Sequence, residues 1–272
     1  MGPPGLEPVR GGRQLWVADA TQHLVCWWYK AFEGPSGTDY HERSYRYIAM
    51  RARQLCGITT DEQAVCWDER YEWNPAPMAR FVSVVPDSRV GCGLDAAGLI
   101  SCWGLDLTPD HDFGSEVFVQ ISSRLGLMAL TPSGEVVTRP STVLRRPPPA
   151  RSFAEISNGD GSQCGIDGSG QATCWSMVDE NGNWDAPPGK YLMTAAGMHD
   201  GSAKSYNCAI RDDLKVVCWG SLAAEEPPPD GQFLEISVSR NEGCGIRTDG
   251  GVVCWRGNGK DEDLSALRAW TD

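Results

Sequence analysis

Cys244-Gly-Ile-Arg-Thr-Asp-Gly-Gly-Val-Val-Cys254-Trp255 holds the local pattern from which the fold is read. Two cysteines stand ten residues apart, and a tryptophan follows the second at once. Apolar, β-branched positions flank a central Asp-Gly pair, the composition of two strands joined by a tight turn. With Asp249 at the midpoint, the loop is three residues long, Thr248-Asp249-Gly250. Such a loop is a type I turn followed by one residue at positive φ, where glycine is favoured. The cysteines then face each other across the hairpin. Cβ atoms of cross-strand neighbours lie ~4.5–5.5 Å apart, near the reach of a disulfide.

The same spacing recurs at Cys56/Cys66, Cys92/Cys102, Cys164/Cys174 and Cys208/Cys218, and Trp67, Trp103, Trp175 and Trp219 follow the second cysteines. A fixed period of this kind is the signature of a repeat architecture. In register the paired positions are 16/26, 56/66, 92/102, 128/138, 164/174, 208/218 and 244/254, seven units offset by 40, 36, 36, 36, 44 and 36 residues. Two units are degenerate. The first has Trp16 opposite Cys26, and the fourth has Met128, Thr138 and Arg139 in place of Cys, Cys and Trp. Gly134 nevertheless keeps the turn position of unit four, as Gly98, Gly170 and Gly250 do in theirs. The hairpin is therefore the underlying feature, and the cysteines are added to it.

Upstream of each pair stands an apolar signature: Phe81-Val-Ser-Val, Phe118-Val-Gln-Ile, Phe153-Ala-Glu-Ile and Phe233-Leu-Glu-Ile, with weaker forms at Tyr45-Arg-Tyr-Ile and Tyr191-Leu-Met-Thr. Its β-branched and aromatic content is that of a strand. Proline-rich connectors separate the units at Asn74-Pro-Ala-Pro, Arg146-Pro-Pro-Pro, Ala186-Pro-Pro-Gly and Glu226-Pro-Pro-Pro. Proline does not sit in a central strand, so these read as loops.

Five regular pairs point to disulfides and so to an oxidising compartment. Reduced buried thiols and metal binding are the competing readings. Structural zinc sites usually set two to four residues between ligands, whereas nine intervene here. Each bridge closes a short loop, worth about 2–3 kcal/mol in the chain-entropy picture. Cys26 is left over and reads as a thiol packed against Trp16.

The unit consensus, Cys-Gly-Ile-x3-Gly-x-Val-x-Cys-Trp preceded by Phe-x-x-Ile-Ser, resembles the regulator-of-chromosome-condensation repeat family, in the cysteine-bearing form of secreted bacterial proteins and some plant receptor ectodomains. The resemblance runs from about residue 14 to 270. It implies an all-β protein: a seven-bladed β-propeller of four-stranded antiparallel blades. Residues 1–13 would be a tail and 14–272 a single domain. The segment Asp263-Leu-Ser-Ala-Leu-Arg-Ala-Trp270 resembles the strand that opens the other units. It is expected to complete the N-terminal blade and close the ring, leaving no open sheet edge. The family includes a nuclear guanine-nucleotide exchange factor, secreted inhibitors of β-lactamase and receptor ectodomains. No exchange-loop motif is matched, and the fold alone does not choose among these roles.

The chain carries Lys+Arg 24 against Asp+Glu 36, a net charge of −12 in 272 residues. A phosphate-binding surface needs the opposite sign, so nucleic acid is not expected as a partner. No apolar run is long enough for a membrane-spanning helix. The opening Met1-Gly-Pro-Pro-Gly-Leu-Glu-Pro lacks the regions of a signal peptide, so a secreted or cell-surface protein is expected here without its leader.

Catalysis finds no motif: His23, His41, His111 and His199 share no repeat position, and no nucleophile elbow, phosphate loop or zincin signature occurs. Asp179-Glu-Asn-Gly-Asn-Trp-Asp185 has a calcium loop's alternating oxygens, but Trp184 replaces its glycine and the closing Glu is missing. No metal or cofactor is expected. Tryptophans after the second cysteines read as core. Trp28, Tyr29, Trp73 and Trp184 extend strands or lie in inter-unit loops, positions where aromatics anchor partners or pack locally. Arg145 and Arg146, with Arg139 and Arg151, form a basic cluster beside unit four. The expectation is a monomeric, non-enzymatic module that binds a protein through loops of one face. A glycan or a secreted enzyme to be inhibited are the alternatives.

Overall fold

The computed structural model describes residues 15–18, 24–27, 45–51, 54–68, 76–87, 89–124, 126–139, 148–159, 161–176, 183–197, 205–220, 223, 227–239, 242–256 and 262–268. Within them the chain folds into seven antiparallel sheets, one for each repeat unit. The first is the hairpin β1 (Leu15–Ala18) and β2 (Leu24–Trp27). The second holds β3 (Tyr45–Arg51), β4 (Gln54–Thr59) and β5 (Ala64–Asp68). The third holds β6 (Phe81–Asp87), β7 (Val90–Asp95) and β8 (Ile100–Gly104). The fourth is β9 (Gln120–Ser123), β10 (Leu127–Leu130) and β11 (Val136–Arg139). The fifth has four strands, β12 (Phe153–Asn158), β13 (Ser162–Asp167), β14 (Ala172–Ser176) and β15 (Asn183–Asp185). The sixth comprises β16 (Tyr191–Ala195), β17 (Asn207–Arg211) and β18 (Val216–Trp219). The seventh comprises β19 (Phe233–Ser239), β20 (Glu242–Arg247), β21 (Gly251–Arg256) and β22 (Glu262–Arg268). From the second sheet to the seventh, consecutive sheets touch through their leading strands: β3 with β6, β6 with β9, β9 with β12, β12 with β16 and β16 with β19.

The expected hairpins form in the expected register. Cys56 pairs Cys66, Cys92 pairs Cys102, Cys164 pairs Cys174, Cys208 pairs Cys218 and Cys244 pairs Cys254. All five pairs are disulfides, with Cα atoms 4.0–4.1 Å apart. Two of the bridges are unequally enclosed: Cys102 and Cys218 are half-buried, whereas their partners Cys92 and Cys208 are fully buried. In the first sheet Trp16 pairs Cys26, and in the fourth Met128 pairs Thr138.

The third loop residue is left-handed in all six described turns: Glu62 (φ 66°), Gly98 (85°), Gly134 (85°), Gly170 (86°), Leu214 (65°) and Gly250 (82°). The carbonyl of that residue also serves the next sheet. Phe118, Phe153, Tyr191 and Phe233 donate their N–H groups to Gly98, Gly134, Gly170 and Leu214 at 2.8–2.9 Å. A residue forced into an unusual conformation by the hairpin thus ties each of units three to six to its successor.

The core lies between the sheets. The disulfide side of one unit packs on the aromatic pair of the next. Cys56 and Cys66 meet Phe81 and Trp103, and Cys164 and Cys174 meet Tyr191 and Trp219. Cys208 and Cys218 meet Phe233 and Trp255. Within each unit those rings lie 5.3–6.3 Å apart. Glycine beside the middle-strand cysteine makes room for them. A β-carbon on Gly91 would stand 2.5 Å from Cys66 Sγ and 2.8 Å from the Trp103 ring. The tryptophans after the second cysteines are accordingly buried, Trp175 at 0% and Trp219 at 7% being the extremes.

Unit four keeps this scheme with other atoms. Met128, fully buried, fills the disulfide position against Phe153 and Trp175. Arg139 cannot fill the tryptophan slot. Phe113 does so, meeting Phe118 edge-on at 5.4 Å, with the Arg139 guanidinium 5.7 Å above its ring. Phe113 follows a short 3-10 turn, Pro109–His111. That turn is anchored by His111, whose Nδ1 accepts from the Thr108 N–H at 3.1 Å and whose Nε2 lies 3.9 Å from Asp87.

Two expectations need correction. Four-stranded blades occur only in the fifth and seventh sheets among the described residues. After β8, for example, the chain forms the proline-led turn and sends Phe113 inward instead of pairing along the strand edge. Among the described residues the C-terminal segment is not paired with β1. It lies on β21, with Cys254 opposite Glu262 and Val253 opposite Asp263. A short connection separates the two strands, and local antiparallel pairing carries the smallest loop-closure entropy.

The left-handed turn position gives opposite expectations for two substitutions. Gly98→Ala places a β-carbon 2.7 Å from the Phe118 carbonyl oxygen at φ 85° and should cost about 1–3 kcal/mol. Glu62→Gly relieves a strained φ of 66° and loses only a solvent-exposed pair with Arg80, so it should gain about 0.5–1 kcal/mol. Urea midpoints of the two variants at constant m-value check both signs.

Candidate interaction surface

Every leading strand but one carries a register shift between the first and third residues of its signature: Phe81/Ser83, Phe153/Glu155, Tyr191/Met193, Phe233/Glu235 and Tyr45/Tyr47. In β9 the same crowding appears as Val119 N–H donating to Leu130 O, the residue that Gln120 opposes. A bulge leaves one residue outside the alternation. That second residue turns outward: Val82 is 47% exposed, Val119 56%, Leu192 56% and Leu234 52%. Because Phe81 opposes Asp95 and Phe153 opposes Asp167, these residues stand level with the hairpin turns at one end of the sheets, here termed the turn face. Leu99 and Val117, beside the Gly98 turn, are exposed on the same face, and Met78 is exposed in the connection that leads to β6. The signal was present in the sequence. Adjacent apolar residues such as Phe81-Val82 cannot both face a core in a strand of period two.

Carboxylates frame this apolar set. Asp61, Asp95, Glu135, Asp167, Asp213 and Asp249 lie in or beside the six described turns. Several cap their own turn: Asp95 Oδ1 accepts from Ala97 and Leu99 N–H at 2.9 and 2.8 Å, and Asp249 Oδ1 from Gly251 N–H at 2.9 Å. The Ser169 hydroxyl, helped by backbone N–H groups and Arg151, holds the Asp167 carboxyl below its ordinary range.

The third and fifth residues of the signature point into the seams between leading strands. Gln120 clamps the backbone of Ile156, donating from Nε2 to its carbonyl at 2.8 Å and accepting its N–H at Oε1 at 2.9 Å. One unit later Glu155 Oε2 accepts from the Thr194 hydroxyl at 2.6 Å and from its N–H at 3.3 Å. Ser122 and Ser157 Oγ accept from Asn158 and Ala196 N–H at 3.1 and 2.8 Å. Burial pushes the Glu155 carboxyl up to about 7, against the Thr194 bonds. Desolvation also raises Glu235, at the equivalent position of unit seven. Tyr47, the equivalent in unit two, is pushed up to about 12 by burial and by the Glu235 charge.

Of the sequence-predicted binding residues, Trp184 alone lies among the described residues. Trp28, Tyr29, Trp73, Arg145 and Arg146 lie outside the described residues. Trp184 is placed on the outermost strand of the fifth sheet, opposite Cys174. The long insertion of unit six is described only at its stem. There Ser162 Oγ donates to Asn207 Oδ1 at 2.8 Å, and Tyr206 OH accepts from Trp255 Nε1 at 2.7 Å. Among the described residues no group of three His, Cys, Asp or Glu is placed to hold a metal ion.

No family model and no curated protein matches the chain. Solved structures do. The CRINKLY WD40 ectodomain of the Arabidopsis thaliana receptor kinase ACR4 is 23% identical at a TM-score of 0.67, with 92% of this chain and 91% of that one covered. The ectodomain of the Physcomitrella patens receptor kinase CR4 is 19% identical at 0.59, covering 79% and 64%. Yeast RCC1 (Prp20), solved bound to Kap60, is 13% identical at 0.60, covering 82% and 73%. The chain therefore has a propeller-type, all-β repeat fold.

The buried Glu155 carboxyl makes stability depend on pH. Its folded value, about 7, exceeds its ordinary value of 4.5, so the folded protein binds the proton more tightly than the unfolded chain. That contribution is whole below pH 4.5 and is lost as pH rises through 7. The loss amounts to roughly 3 kcal/mol at most. Glu155→Gln, which reproduces the Gln120 clamp, should remove most of this slope. Unfolding free energies of both proteins between those limits test it.

Proposed function

We propose that the protein is an extracellular recognition module that binds a protein partner on its turn face. The carrying observation is the bulged second residue of the leading strand: the same geometric position places Val82, Val119, Leu192 and Leu234 in solvent. Four exposed large apolar residues at one repeat position of one face are more than scattered surface hydrophobics. The scaffold behind them is held by disulfides and inter-sheet bonds, and a rigid frame with variable loops is a common basis for recognition. The five disulfides and the receptor-ectodomain neighbours support an oxidising, extracellular setting. The module comprises residues 14–272 as one monomeric ring of seven blades, in which the first and seventh sheets meet. The influence of Glu235 in unit seven on Tyr47 in unit two supports a curved series whose late units come back towards its early ones.

Purified protein immobilised on a matrix should retain a specific protein from an extracellular fraction of its source. Rebound in purified form, that partner should lose at least about tenfold in affinity to the triple variant Val119→Ser, Leu192→Ser, Leu234→Ser. Equal affinity for the folded triple variant would remove the turn face from the proposal, and no saturable partner would remove the recognition role.

A further inference from the structure

The turn face is not uniform. Among the described residues its apolar side chains concentrate on units three and four. Val82, Leu99, Val117 and Val119 are 47%, 37%, 45% and 56% exposed there, whereas exposed Met78 lies one seam earlier, between Ala76 and Ala79, which pack beside the unit-two disulfide. Val117 lies across Gly98, with Cγ1 2.6 Å from where a β-carbon on that glycine would stand, and so it adjoins Leu99. The next residue, Phe118, donates its N–H to Gly98 O at 2.8 Å and fixes this arrangement. Val82 and Val119 occupy the same signature position at the heads of β6 and β9, whose strands are in contact. Units six and seven contribute only Leu192 and Leu234 from their bulges, and unit five has the small Ala154.

Among the described residues, the charges bordering this cluster that lack an ion pair are carboxylates; Arg151 is engaged by Asp167 and Arg139 lies over the Phe113 ring. Asp95, Glu116 and Glu135 border it and form no ion pair among the described residues. The base nearest in sequence, Arg80, is engaged by Glu62 at 2.9 Å. A second copy of the chain would set these carboxylates against their own kind, on a molecule already at −12. An anionic lipid surface is opposed for the same reason. A complementary partner has the reverse character: apolar side chains to cover the valines, flanked by lysine or arginine to meet the carboxylates.

Resting on the recognition reading above, we infer that the sector of units three and four is the docking site for a cationic, apolar segment of a protein partner. Affinity comes from covering Val82, Val117 and Val119. Asp95, Glu116 and Glu135 choose the sign of the partner and speed its approach.

The test titrates the full-length protein into three labelled synthetic peptides and follows anisotropy: an amphipathic leucine/lysine peptide, its leucine/glutamate counterpart, and a serine/lysine peptide of equal charge. The leucine/lysine peptide should bind at least about tenfold more tightly than either control and weaken as salt rises. Val117→Ser/Val119→Ser should reduce its affinity about tenfold, and Glu116→Gln several-fold. Leu192→Ser/Leu234→Ser, a control of equal apolar loss at another sector, should leave it within about twofold. Thermal unfolding of each variant confirms that these exposed substitutions leave the fold intact. Equal binding of the leucine/glutamate peptide, no binding of the leucine/lysine peptide, or greater loss from the Leu192/Leu234 variant would each overturn the inference. Any of these, beside a captured partner that still depends on the turn face, would leave the recognition reading standing.

Discussion

Every sheet from the second to the sixth has to be covered by its successor, and the contact that does this is a disulfide, or its substitute, against a pair of aromatic rings. Cys66 Sγ reaching Gly91 and Trp103 is its tightest expression. A sheet with both faces buried has no polar side to give to water. The middle strand must therefore be small on one side, where Gly91 and Gly93 admit the rings, and compact on the other, where cystine fills the gap. The disulfide is thus a packing element as well as a covalent one. This explains how unit four survives without one: Met128 supplies similar soft volume at the same site.

A constraint that strong leaves little freedom inside the stack, so variation is expressed at the ends of the sheets. The bulge at the head of each leading strand is the device that permits it. It lets the first signature residue remain in the core while the second leaves it, without disturbing the alternation that follows. The third and fifth residues then return to the seams, where Gln120, Ser122, Glu155 and Ser157 bond the backbone of the next strand. One short motif serves core, seam and surface by turns. The turn face consequently shares its origin with the core, and its residues are positioned as firmly as those behind them.

How much of this was legible follows from the range of each interaction. The hairpin and its disulfide are local, so a spacing of ten and a glycine at the third loop position were enough to place them. The Cys208–Cys218 bridge formed even where that glycine is missing from the loop. Glu62 and Leu214 show the limit of the glycine criterion, because the closing bonds impose the same left-handed φ on them. The bulge left a trace in adjacent apolar residues, but a period-two reading had no place for it. Phe113 left none, since its role depends on a tryptophan missing from position 139 of another strand. The C-terminal strand was misplaced for a related reason. Its apolar pattern suits any sheet edge, and the pattern does not say which edge is nearer.

The departure of unit four from its relatives and the apolar cluster of the turn face meet in one connecting segment. Once Arg139 stands where tryptophan would, the slot must be filled from elsewhere, and the connection after β8 is the segment that does it. To bring Phe113 into the slot and still deliver Phe118 to the bond with Gly98, that connection must run past the turn of the third sheet. The residues it places there are Glu116 and Val117, an exposed carboxylate and an exposed apolar side chain beside Leu99. The chain passes the preceding turn in other units as well, where Ser152 and Lys190 stand against Gly134 and Gly170 as Val117 stands against Gly98. What sets the connection after β8 apart is that the segment which fills the tryptophan slot with Phe113 also carries an apolar residue at that place, so core repair and exposed apolar surface are held by one short stretch of chain.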